Sequence, residues 1–182
     1  MKFVDEQWDL DGIDIQILTL LQEHCKMPLA KIGERVGLSA PAVIERIKKL
    51  EDSGVITGYT VTVDARKLGR DITAFIGVSI THPKVIHDFE EQIDRCADVL
   101  ECHHVTGSYT LLLKVKTKNT STLEQLISHI RSFDGVGRTE TMVVLSTHSE
   151  RVQLALTPEH PSGKRRARRN GEKALLQSGT AS

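Results

Sequence analysis

LAKIGERVGLSAPAVIERIKK, residues Leu29 to Lys49, holds two short helical patterns hinged at Val36-Gly37-Leu38-Ser39. Apolar residues recur at Leu29, Ile32 and Val36, then at Val43, Ile47 and Leu50, the three-four spacing of helices that bury one stripe each. Gly37 can take the positive φ that ends a helix, and Ser39 suits the N-cap of the next. The pattern predicts a helix-turn-helix. With its apolar stripe buried, the second helix offers Ser39, Ala40, Pro41, Ala42, Glu45, Arg46, Lys48 and Lys49, small residues first and basic ones toward the end. Small residues let a helix approach base edges in a major groove, and Arg and Lys meet phosphates on its rim. Lys31, on the first helix of the pair, is a further cation for the same duplex. An ordinary helical hairpin with a solvated basic face has this pattern too, so the flanking sequence decides.

Upstream, residues 11–24 predict another helix, with Ile13, Ile17, Leu20 and Leu21 on one face and Asp11 and Asp14 near its positive N-terminal end. Met27-Pro28 separates it from the pair. Downstream, Asp52-Ser53-Gly54 stops the helical pattern, and residues 55–63 turn to β-branched residues around Gly58, as expected of a β-hairpin wing. Tyr59 on that wing is positioned either to touch a DNA backbone or to pack as an ordinary aromatic. Residues 1–63 are therefore expected to form a winged helix-turn-helix domain, followed by a polar linker over 64–71, DARKLGRD.

From residue 72 the rhythm changes. Ile72, Ala74, Ile76, Val78 and Ile80 alternate as in a half-buried strand. Pro83 opens a helix with core residues Ile86, Phe89, Ile93 and Ala97. Strands are expected over 99–106 and 109–117, a helix from Ser121 with Ser-Thr-Leu-Glu as its capping box, and a last strand over 136–147. This strand-helix-strand-strand-helix-strand order predicts an α+β fold, a ferredoxin-like βαββαβ domain over 72–156. Both helices of such a domain cover one sheet face. A second copy of the chain is the economical cover for the other, and it would also present two helix-turn-helix units to one duplex.

Across 182 residues the formal net charge is zero, but it is uneven. Residues 157–182 carry six basic and two acidic side chains, as do residues 24–49, within an otherwise acidic body. Local positive charge marks a footprint for phosphates, and the basic tail is expected to be disordered, serving as a nonspecific DNA arm or simply solvated. Three cysteines without a spaced framework, an acidic start and no long apolar run predict a reduced, cytoplasmic, non-membrane protein. In Cys102-His103-His104, strand alternation sends His103 away from its neighbours, so no metal site is expected, and no cofactor motif stands out.

Several separated motifs together resemble the Lrp/AsnC family of transcription regulators. They are residues 10–18 (LDGIDIQIL), Val36-Gly37-Leu38-Ser39, residues 45–51 (ERIKKLE), residues 54–59 (GVITGY), residues 101–107 (ECHHVTG) and residues 135–141 (GVGRTET). The resemblance spans about Leu10 to Thr147. It implies double-stranded DNA as partner, a homodimer assembling to tetramers or octamers, an ACT-like (RAM) effector domain, and a small effector, an amino acid or other metabolite, bound between dimers. It places Thr106, Gly107, Ser108, Tyr109, Thr110, Thr139, Thr141 and Met142 at the effector pocket. Amino-acid-responsive members commonly carry an aspartate in the turn after Thr-Gly. Here that turn is Gly107-Ser108-Tyr109-Thr110, with hydroxyls and no carboxylate, and Glu101 and Glu140 are the acids nearby. Siroheme decarboxylases resemble both domains as well, and His103, His104, His129 and Arg131 would be the residues recruited for that chemistry. A third expectation is an architectural protein that coats DNA with little sequence choice.

Overall fold

The computed structural model describes residues 10–156. They divide into two compact units, residues 10–59 with 152–156, and residues 60–151. The expected tail over 157–182 lies outside the described residues.

The first unit is helical: α1 (Gly12–Glu23), α2 (Leu29–Val36) and α3 (Ala40–Asp52). Asp11 caps α1 reciprocally, its carboxylate accepting from the Ile13 and Asp14 amides while the Asp14 carboxylate accepts from the Asp11 amide at 3.2 Å. Gly37 ends α2 at φ +73°, where a side chain would strain the backbone. Ser39 stands at the N-cap of α3, with Pro41 in the first turn, but its hydroxyl makes no capping bond. The α2–α3 corner closes on Gly33: the Leu38 amide donates to its carbonyl at 2.9 Å, and a β-carbon on Gly33 would collide with the Leu38 carbonyl oxygen. Ile17, Ile32, Val43 and Leu50 meet in the core, each contributing about 1.5–3 kcal/mol by leaving water.

Two expectations are corrected here. Residues 55–63 form no strand, so the wing hairpin is absent; Val55 and Ile56 instead pack on the helical core, and the Ile56 amide donates to the Leu50 carbonyl at 3.0 Å. Valines two positions apart suit a strand, but Val61 and Val63 pair with no strand among the described residues and stay exposed. Residues 152–156 also leave the sheet domain for the helical unit. Leu156 packs on its core, the Leu154 amide donates to the Gln22 side-chain oxygen at 2.8 Å, and the Gln153 side chain donates to the Gln22 carbonyl at 2.8 Å.

The second unit is a four-stranded antiparallel sheet, β1 (Ile72–Ile80), β2 (Val99–His104), β3 (Leu111–Thr117) and β4 (Val136–Val143), in the order β2-β3-β1-β4 expected of a ferredoxin-like domain. Helices α4 (Ile86–Asp94) and α5 (Thr120–Arg131) supply Phe89, Ile93, Leu123, Leu126 and Ile130 to one face, against Ala74, Ile76, Val78, Leu111, Leu113 and Val115. The capping box of α5 is shifted from the expected one: Asn119 is the N-cap and Thr122 its reciprocal partner, because an extended Asn119 puts its side-chain oxygen 2.9 Å from the Thr122 amide. Helix α4 stops at Asp94, leaving Ala97 exposed.

Candidate functional site

Helix α3 carries an exposed face among the described residues. Ser39, Pro41, Glu45, Lys48 and Lys49 are exposed, and Ala40 and Ala42 are half-buried at its start. Lys31 on α2 is exposed too. None of the ion pairs among the described residues uses Lys31, Lys48 or Lys49. Their ammonium groups are therefore available to an anion without first breaking a protein contact among these residues.

Arg46 departs from the expected free face. Its guanidinium Nη1 lies 2.7 Å from Asp11 Oδ2 and 2.7 Å from Asp14 Oδ1, tying α3 to the N-terminus of α1. Asp14 is 3% exposed, so this arginine compensates a buried carboxylate. The guanidinium is held above its ordinary pKa by Asp11 and Asp14, and the Asp11 carboxyl is held below its own, foremost by the Asp14 amide and also by Arg46. In the sequence the signal was the Asp11, Asp14 pair, three apart beside an arginine on a packed neighbour. Tyr59 also has a protein partner: its hydroxyl donates to Glu51 at 2.8 Å, and burial together with that carboxylate pushes the phenol up to about 12.

In the sheet unit, register decides which effector-pocket candidates share a face. Thr139 pairs with Val78 and Thr141 with Ile76, so both point to the helix side. There Arg131 Nε donates to Thr139 Oγ1 at 2.7 Å, and Thr141 lines a groove of about 400 Å³ with Leu123, Ile127, Ser128 and Arg131. Met142 pairs with Phe75 and Glu140 with Gly77, which puts both on the opposite, open face. The Tyr109 ring lies on that face against Gly77, where a β-carbon would sit 2.7 Å from its atoms. The Glu140 carboxylate beside its hydroxyl holds the phenol above its ordinary pKa. Thr110 is committed to backbone, accepting from the Ile80 amide at 3.1 Å, and the Ser108 carbonyl accepts from Ser79 at 3.2 Å. Thr106 and Gly107 are exposed in the turn, with Gly107 at φ +118°. The eight candidates thus lie on two faces of the sheet and the connecting turn among the described residues.

Replacing Gly77 by valine is expected to expel the Tyr109 ring from its seat on β1. A spectrophotometric titration would then show the Tyr109 phenol ionising at its ordinary value, lower than in the parent chain.

The open face also carries Lys114, between Glu101 at 2.9 Å and Glu150 at 2.5 Å, with Phe75 and Leu112 half-buried nearby in the register. Both acids hold the Lys114 ammonium above its ordinary pKa, Glu150 foremost. His103 faces Glu101 at 3.1 Å, whereas His104 faces Glu90 of α4 at 2.7 Å, and the His129 ring packs edge-on against Phe133. With Arg131 on Thr139, the four residues considered for tetrapyrrole chemistry are engaged separately and do not converge.

Comparison with known proteins follows the same two units. Residues 10–51 match the AsnC-type helix-turn-helix domain and residues 73–154 the Lrp/AsnC ligand binding domain. The HTH-type transcriptional regulator FL11 of Pyrococcus furiosus is 35% identical over 145 residues, 80% of this chain and 95% of that protein. The HTH-type regulator YezC of Bacillus subtilis is 39% identical over 140 residues, 77% of this chain and 96% of its own length. Among solved structures, the regulator NMB0573 of Neisseria meningitidis, crystallised as an L-Met complex, superposes with a TM-score of 0.77 at 28% identity, covering 80% of this chain and 96% of that one. Escherichia coli AsnC gives 0.74 at 28% identity, covering 79% and 97%. The exposed basic end of α3, the ferredoxin-like sheet and these likenesses agree: the chain belongs to the Lrp/AsnC family of DNA-binding transcriptional regulators.

Proposed function

We propose that the chain acts in the cytoplasm as a sequence-reading regulator whose α3 enters the major groove of duplex DNA, with Ser39, Ala40, Pro41, Ala42 and Glu45 toward base edges and Lys31, Lys48 and Lys49 on phosphates. The observation that carries this is the contrast within α3: Arg46 is consumed by Asp11 and Asp14, while Lys48 and Lys49 stand exposed at the same helix end. A homodimer joined through the open sheet faces presents α3 twice, and dimers assemble to tetramers or octamers. The exposed Met142 and half-buried Phe75 on that face support this use of it. A small effector, an amino acid or other metabolite, seats where the Gly107 turn and Tyr109 meet a neighbouring dimer, and shifts the balance between assemblies.

The test is a gel shift of the full chain on DNA upstream of its own gene, against a scrambled duplex, over a range of salt. Preferential retardation that weakens as salt rises is expected, with the slope of log affinity against log salt reduced by about one in Lys48→Ala and again in Lys49→Ala. Equal affinity for both duplexes would instead favour an architectural protein. No retardation at low salt would turn attention to tetrapyrrole chemistry, visible as a Soret band on titration.

A further inference from the structure

Ile44 lies on the free face of α3. Val43, Ile47 and Leu50 form the buried stripe of the helix, with Val43 at 0% and Leu50 at 3% exposure. Ile44 follows Val43 by about 100° around the axis and is 49% exposed, the large apolar side chain that α3 holds out to solvent among the described residues. Its neighbours on that face are Pro41 one turn before, Glu45 beside it and Lys48 one turn after. It stands fifth in α3, in the helix half that approaches base edges when a recognition helix docks, with the phosphate-seeking lysines further along.

A β-branched residue is a weaker helix former than the lysine or glutamate that an exposed helix position ordinarily carries. Its χ1 is stiff, so its methyl groups are held in place before docking and lose little freedom on contact. A major groove edge is polar almost throughout. The apolar group it presents is the 5-methyl of thymine. We infer that Ile44 is a specificity-determining residue that packs on a thymine methyl in each half-site, an inference resting on the groove-reading role proposed above for α3.

The experiment uses the full chain and a duplex selected from a random-sequence library by retention on that chain. Each thymine is replaced in turn by uracil, which keeps the pairing edge and removes only the methyl. In the parent chain, one thymine position per half-site is expected to lose about four-fold in affinity on this change. Ile44→Ala should bind the unmodified duplex more weakly and be indifferent to uracil at that position, with Ile44→Val intermediate and the salt slope of all three unchanged. Thermal melts of both variants are expected to match the parent, since the substituted side chain is exposed. A uracil penalty that persists in Ile44→Ala, or a parent insensitive to uracil at every position, overturns the assignment while leaving groove reading by α3 intact. A selection that enriches no sequence overturns both.

Discussion

Arg46→Ala should lower the unfolding free energy of the helical unit by about 2 kcal/mol, less than the full cost of orphaning a buried charge because the arginine side chain is itself 30% exposed. The loss arises at Asp14, whose carboxylate stays buried after its cation is removed. DNA affinity should fall with it, since α3 loses its tie to α1, but the salt dependence of binding should keep the parent slope. A slope reduced by about one would instead put this guanidinium on a phosphate. Acid should act on the same contact. The Asp11 carboxyl titrates near 4 when unfolded and lower when folded, so its contribution is complete above about pH 5 and disappears as pH falls through the folded value. Asp11→Asn should therefore flatten the acid limb of a plot of melting temperature against pH and leave the alkaline limb alone.

Gly33→Val is expected to cost about 3 kcal/mol, at the upper end for overpacking, because the obstacle is the Leu38 carbonyl oxygen, part of the corner itself. A flexible side chain could swing aside; a main-chain carbonyl held by the Leu38 amide's own turn cannot move without opening the angle between α2 and α3. Denaturant unfolding should show the loss in the helical unit, and a duplex selected by the parent chain should no longer be retarded. Retained binding with an unchanged midpoint would mean that the corner relaxes freely.

Much of this fold was legible because each element follows a single period. The three-four spacing of Leu29, Ile32 and Val36 and the alternation of β1 report burial directly, and strand, helix, strand, strand, helix, strand admits few topologies. What escaped depends on partners distant in sequence. Val61 and Val63 have strand composition without a strand to pair with among the described residues. Arg46 lies at the margin of the buried stripe, where sequence position leaves its long side chain free to face either way, and Asp11 and Asp14 at the start of α1 decide its direction. Thr139, Thr141 and Met142 sit within four residues of one another, yet period two alone cannot say which side the helices cover. Ile44 is ambiguous in sequence for a different reason: an apolar residue beside Val43 is compatible with either a core or a surface position, and its exposure separates it from that stripe.

The bonds from Gln22 to Gln153 and Leu154 set an order on biosynthesis. Helices α1 to α3 leave the ribosome with most of their own core residues already present, but the extended segment that bonds to Gln22 of α1 follows some 130 residues later. At ordinary elongation rates that interval is on the order of ten seconds, long compared with helix formation and packing. During it the Gln22 amide is served by water, and the entire sheet domain is made while the helical unit is still open at one side. A nascent chain stalled before residue 152 would thus carry a structured α2–α3 corner on an unfinished support, and emergence of residues 152–156 completes the packing of Leu156 and the bonds to Gln22 after the sheet domain has been made.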